Sequence, residues 1–247
     1  MAHLRESSLT LALVVALTAV GCPRCSAPQL TAAPPHVPRV PDGYGEAGFS
    51  GEILRVRARK LLLPDGRACG AEAPECAEGL AALRGKQLGL ELEGSLLMAD
   101  LSEPLAALAL ALEPKAQACL LVGDSASVRC LPFRPFSGGQ FAAWLDAPEP
   151  VGKVRVVMRS DGIEVVADRG KVPGPDRYGP SLPPLRGKPD LKGLEPLMRR
   201  MAYSFPSEDE AGVVPSGRMT VEEVARALAC LSGPDAERFS ETFLVYP

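Results

Sequence analysis

Histidine is almost missing from this sequence. Its 247 residues hold 2, His3 and His36, and both fall outside the stretches that read as folded. Histidine is the commonest general acid–base group and metal ligand. Its scarcity argues against catalytic triads, most zinc sites and histidine-based phosphotransfer. Aromatic residues make up 5% of the chain, with a single tryptophan. The longest apolar run, residues 9–20, is too short for a membrane-spanning helix, which needs about 20 residues. The net charge of −3, with Arg and Lys dispersed, leaves no electrostatic footprint for nucleic acid.

Familiar chemical motifs are lacking too. "FSGGQF" has glycines but no following Lys and Ser/Thr, so it is not a phosphate loop. The acids of "SEDEAG", Glu208, Asp209 and Glu210, lack the alternating ligands and Gly of a calcium loop, and a solvated loop is expected. Arg199 and Arg200 read as the polar face of a helix. No set of residues assembles a nucleophile, a base and an oxyanion stabiliser. The sequence therefore predicts no catalytic residue, no metal ligand and no cofactor.

What is present begins with "LTLALVVALTAVGCPRC". Arg5 precedes the short apolar run, and the small residues Ala19 and Gly21 follow it. That arrangement predicts a secretory signal peptide over residues 1–21. Cys22, directly after Ala19-Val20-Gly21, resembles the lipidated cysteine of a bacterial lipobox. A redox Cys-x-x-Cys would need its first thiol at a helix N-terminus, and the Pro-rich residues after Cys25 cannot form one. Zinc would need a second ligand pair at similar spacing. Residues 22–50 read as an extended Pro/Ala/Gly-rich tether on a lipid anchor, placing the protein on the periplasmic side of a bacterial envelope.

Seven cysteines in an exported chain point toward disulfides. "CLLVGDSASVRC" reads as two strands joined by a turn. With Asp124 and Ser125 at its tip, Cys119 and Cys130 sit opposite each other within bridging distance. Cys69 and Cys76 bracket a loop they could close. Each pair could equally be small buried thiols. Cys230 falls on the side of its helix away from Val221, Val224, Ala225 and Leu228, so it should be bridged, or covered by the other half of the chain.

After residue 50 the pattern becomes periodic. "EILRVRARKLLLPDG" alternates at Leu54, Val56 and Ala58 and turns at Pro64-Asp65-Gly66. A short helix, "APECAEGLAALRG", stops at Gly85. "QLGLELEG" alternates, "SEPLAALALALE" is a helix that Ser102 can cap, and "ACLLV" is a strand. From Lys153 a hairpin turns at Asp161-Gly162. Then come the helix "GLEPLMRRMAYSF", the strand "AGVVP", a helix with a Thr220/Glu223 capping box and the strand "ETFLVYP". The two halves share an order of elements. That pattern predicts an α+β fold of two tandem small units, residues 51–131 and 152–247, each a mixed sheet with two helices on one face. Between them, the connector 132–151 carries Phe133, Phe136, Phe141 and Trp144, either a satellite core or an exposed docking patch.

The second half resembles the periplasmic domain of the ExbD/TolR family of biopolymer-transport proteins. The resemblance lies in "VRVVMRSDGIEVV" and "GVVPSGRMTVEEVARAL", with Val213, Val214, Met219, Val221, Val224 and Leu228 in comparable places. "LGLELEGSLLMADLSEPLAALALAL" looks like a more diverged copy. The family's membrane-spanning helix with its proton-coupling Asp has no counterpart here. The resemblance implies a non-enzymatic binding or adaptor module related to ion-driven transport, with two copies pairing inside one chain as a pseudo-dimer. Its implied partners are envelope proteins, motor-type membrane subunits among them, or peptidoglycan. A structural lipoprotein tethering membrane to wall, and an envelope hydrolase working without histidine, stay open as alternatives.

Overall fold

Alternating apolar residues build many of the strands of this chain, and the side chains of Ser137, Asp190 and Thr220 cap the starts of three of its helices. The computed structural model describes residues 29–30, 36–69, 74–124, 127–234 and 237–246. The first strands are Gln29–Leu30 (β1), Glu46–Ala47 (β2), Phe49–Ser50 (β3), Glu52–Arg57 (β4), Lys60–Leu62 (β5) and Ala68–Cys69 (β6). Leu88–Glu91 (β7), Ala118–Gly123 (β8) and Val128–Phe136 (β9) follow. The later strands are Val154–Arg159 (β10), Gly162–Ala167 (β11), Gly170–Lys171 (β12), Glu210–Pro215 (β13) and Glu241–Val245 (β14). The α-helices are Pro74–Ala81 (α1), Ser102–Ala111 (α2), Gly138–Asp146 (α3), Leu191–Ser204 (α4) and Val221–Ser232 (α5).

The fold is mixed α+β, with one large mixed sheet. Its strand order is β12-β11-β10-β13-β14-β9-β8-β7-β4-β5-β6, with β2 also on β9, while β1 and β3 pair separately. Strands β4, β7 and β8 run parallel to one another, as do β10, β13 and β14. The long β9 is antiparallel to β8 and parallel to β14. The two parallel sets therefore point in opposite directions.

Period-two alternation sorts the sheet's side chains onto its two faces. Leu54, Leu90, Leu120, Val156, Val213 and Leu244 join side chains of α1, α2, α4 and α5 in one large core. On the other face Phe49 packs over Cys119, Leu121, Val128 and Cys130. Further along that face α3 covers Phe243 and Val245 with Trp144.

Several expectations need correcting. Residues 36–50 are no free tether, because Val37, Val40 and Phe49 are buried and β2 and β3 are paired. The alternation from Leu54 breaks at Ala58, where Ala58 (φ 49°) and Arg59 (φ 63°) form a left-handed turn between β4 and β5. Pro64-Asp65-Gly66 is the following turn. The N-cap of α2 is Leu101, with no side-chain cap, so Ser102 is already inside the helix. The boundary expected at 131/132 falls within β9, whose last residues pair with β14. Cys22, Cys25 and the expected signal peptide lie outside the described residues.

Candidate functional site

A cavity of about 440 Å³ lies between α4, α5 and residues 39–44. Its walls come from Val40, Pro41, Tyr44, Leu191, Ala229 and Cys230, with Glu195 lining it as well, and Arg39, Lys192 and Arg226 carry positive charge beside them.

Local sequence explains how these pieces meet. Helix α5 starts at a capping box in which Thr220 and Glu223 satisfy each other's backbone N–H groups. It ends at Gly233, whose φ of 74° suits a residue without a Cβ. A Cβ there would also meet the Arg238 side chain at 2.7 Å. Glycine thus lets Arg238 fold back under the helix terminus, where its Nη1 donates to the Cys230 carbonyl at 2.7 Å. A cation at the carbonyl end of a helix is favourable. Helix α4 begins at Asp190, which accepts from the backbone N–H of Gly193 at 2.9 Å.

The third wall is the segment that composition marked as a tether. Val40 N donates to Gly123 O, and Gly123 N donates to Pro38 O at 2.8 Å. Arg129, buried in β9, donates to the carbonyls of Gly43 and Tyr44. Arg39 N donates to Glu222 Oε2 at 2.7 Å, which ties the segment to α5. His36, expected outside the fold, meets Glu91 Oε1 at 2.8 Å.

Charge beside the cavity is well ordered. Arg238 grips both carboxylate oxygens of Glu195, one of them at 2.8 Å. That grip holds the Glu195 carboxyl below the usual range and the Arg238 guanidinium above its own. Burial, reinforced by a hydrogen bond to Glu195, raises the Tyr44 hydroxyl. Burial pushes the Cys230 thiol up to about 12. Cys230 is therefore protonated at neutral pH and serves as apolar wall rather than nucleophile. Among the described residues it has no disulfide partner. Leu191 of α4, from its own half of the chain, covers it, with Sγ 3.9 Å from the Leu191 carbonyl.

The other cysteine expectations meet a mixed outcome. Cys69 pairs with Cys76, and Cys119 with Cys130. The second pair is diagonal, because Cys119 faces Pro132 and Leu121 faces Cys130. The pairing register of β8 and β9 is therefore shifted from the expected one. The diagonal still leaves the two Cα atoms 5.2 Å apart.

The four aromatic residues of the connector do not form one patch. Phe133 is buried in the helix-side core. Phe136 stacks on Phe243 at 4.5 Å between centroids, on the opposite face, and Trp144 meets the same ring edge-on at 4.7 Å. Phe141 is half-buried beside them. This is the packed arrangement of the two that were open.

Sequence reasoning missed the role of "SEDEAG". Glu210 accepts from Trp144 Nε1 and from Arg134 Nη2, each at 2.7 Å. Glu208 is 3% exposed rather than solvated. Its Oε1 accepts from the backbone N–H of Glu210 at 3.0 Å, and Oε2 has no hydrogen-bond partner among the described residues. Three acids in a row look like solvent-facing charge, and nothing in the run itself signals that an indole and a guanidinium from β9 and α3 arrive there.

Among the described residues no cluster of His, Cys, Asp and Glu could hold a metal ion, and no helix is long and apolar enough to cross a membrane. Comparison with protein-family models, curated proteins and solved structures finds no match to this chain.

Proposed function

We propose that the chain is a non-enzymatic binding or adaptor protein of the bacterial envelope. It consists of two tandem ExbD/TolR-like α+β units that pair within one chain and are held to a membrane by a lipid on Cys22. One observation carries the reading. The order β5-β4-β7-β8 recurs as β11-β10-β13-β14, and the second set runs opposite to the first across β9. A two-fold axis perpendicular to the sheet relates two such sets, as it would relate the subunits of a symmetric dimer.

The loops before α2 and α5 support the same axis. Leu97 bridges Thr220 in antiparallel fashion. Met98 N donates to Met219 O at 2.9 Å, and Val221 N donates to Leu96 O at 2.8 Å. The disulfides fit an oxidising compartment. A pair completed inside one chain has no need of a second copy, so the working protein is a monomer.

Crosslinking in intact envelopes, followed by purification and mass spectrometry, tests the reading. Recovery of motor-type membrane subunits with a single copy of this chain is the expected result. Recovery of wall fragments alone would replace the adaptor role with a structural tether, and a self-crosslinked dimer would remove the in-chain pairing.

A further inference from the structure

The cavity beside α4 and α5 has an unusual combination of walls and charge. Its volume of about 440 Å³ lies in the range of small-molecule pockets, about 300–1,000 Å³. Val40, Pro41, Leu191 and Ala229 give it apolar sides, and the protonated Cys230 thiol adds to them. Water gains few hydrogen bonds on such walls, so an apolar body displaces it favourably.

The charged groups around it are lopsided. Three cations line the cavity, Arg39, Lys192 and Arg226, against one carboxylate, Glu195. Glu195 is already engaged by Arg238 and Tyr44, so it neither repels an anion strongly nor recruits a cation. Arg226 is shared with Glu222 at 2.8 Å, and Arg39 turns its Nη1 to the Asp124 carbonyl at 2.8 Å. Lys192, exposed at the first turn of α4, is the cation with the most freedom to swing toward a ligand.

We propose that this cavity binds an amphipathic monocarboxylate, its hydrocarbon body against Leu191, Ala229 and Cys230 and its carboxylate toward Lys192 and Arg39. A neutral molecule of the same shape gains only the apolar contact. A cationic one meets like charge at the mouth. The site joins residues 39–44 to the two helices of the second half, so occupation stiffens the join between them. The proposal does not rest on the envelope reading and stands or falls without it.

Isothermal titration of the full chain, with disulfides intact and free of detergent, tests it using decanoate, decanol and decyltrimethylammonium as probes. Decanoate is expected to bind one to one, and decanol and the cation roughly tenfold or more weakly, a difference of about 1.4 kcal/mol. Leu191→Trp fills the mouth from a half-exposed position and should abolish decanoate binding. Lys192→Glu, at an exposed position that folding tolerates, should weaken decanoate roughly fivefold and leave decanol unchanged. No decanoate binding, equal binding of all three probes, or unchanged binding by a folded Leu191→Trp variant would each overturn the proposal.

Discussion

Trp144 Nε1 donates to Glu210 Oε2 at 2.7 Å, and the other oxygen of the same carboxylate accepts from Arg134 at 2.7 Å. One carboxylate at the start of β13 thus pins α3 to the sheet and orders the cation that also meets Glu241 at 3.0 Å. Glu210→Ala leaves a buried indole N–H without an acceptor, which costs about 1–3 kcal/mol. Urea unfolding should show that loss. Because the chain has one tryptophan, the native fluorescence should move to the red as Trp144 loosens.

Gly212 sits under the Phe243 ring, where a Cβ would lie 1.9 Å from the nearest ring atom. Gly212→Ala must push that ring, and the ring supports both Phe136 and Trp144. A loss of about 2–3 kcal/mol is expected from overpacking. Thermal unfolding checks the magnitude, and the same fluorescence shift should accompany it, since the disturbance reaches Trp144 through Phe243.

Glu208 gives the stability a pH dependence. Burial pushes its carboxyl up from 4.5 to about 7. Its folded pKa is above its unfolded one, so the stability it contributes is complete below pH 4.5 and is lost as pH rises through 7. Neighbouring Asp168 and Glu210 act in the same direction. About 1–3 kcal/mol should disappear between pH 4.5 and 8. Glu208→Gln should remove that slope in denaturation curves at the two ends of the range, and an unchanged slope would assign the effect elsewhere.

The Cys119–Cys130 bridge closes the β8–β9 hairpin across 11 residues. Replacing both cysteines by serine should cost about 2–3 kcal/mol, chiefly by freeing the unfolded chain. Dithiothreitol should lower the melting temperature of the parent chain and leave that part of the loss absent in the double variant.

Much of the architecture is legible in the residues themselves. The Thr220/Glu223 capping box, Gly85 after α1 and the Asp-Gly turn signal between β10 and β11 are local devices, although the turn itself falls on Ser160-Asp161, with Gly162 already paired to Arg159 in β11. Each acts through its own backbone within a few residues, so spacing alone reveals it. The turn at Ala58-Arg59 was not legible, since neither residue favours a left-handed conformation. The sheet imposes it there to return β5 along β4. Ser102 likewise had the right chemistry for a cap but lost the position to Leu101, because the 3₁₀ turn Met98–Asp100 leads straight into the helix.

By itself the sequence determined the class of fold and the order of most strands and helices, though not α3, and it offered the two near-neighbour cysteine pairs as candidates. Each rests on interactions within a dozen or so residues, which periodicity and spacing report directly. Only the tertiary structure decided that β9 and β14 join everything into one sheet and that residues 36–50 close a cavity against α5. It also decided that Glu208 and Glu210 point inward. Those outcomes depend on groups far apart in sequence, such as Arg39 with Glu222 and Trp144 with Glu210. A carboxylate's preference for water is reversed only when folding delivers its partners.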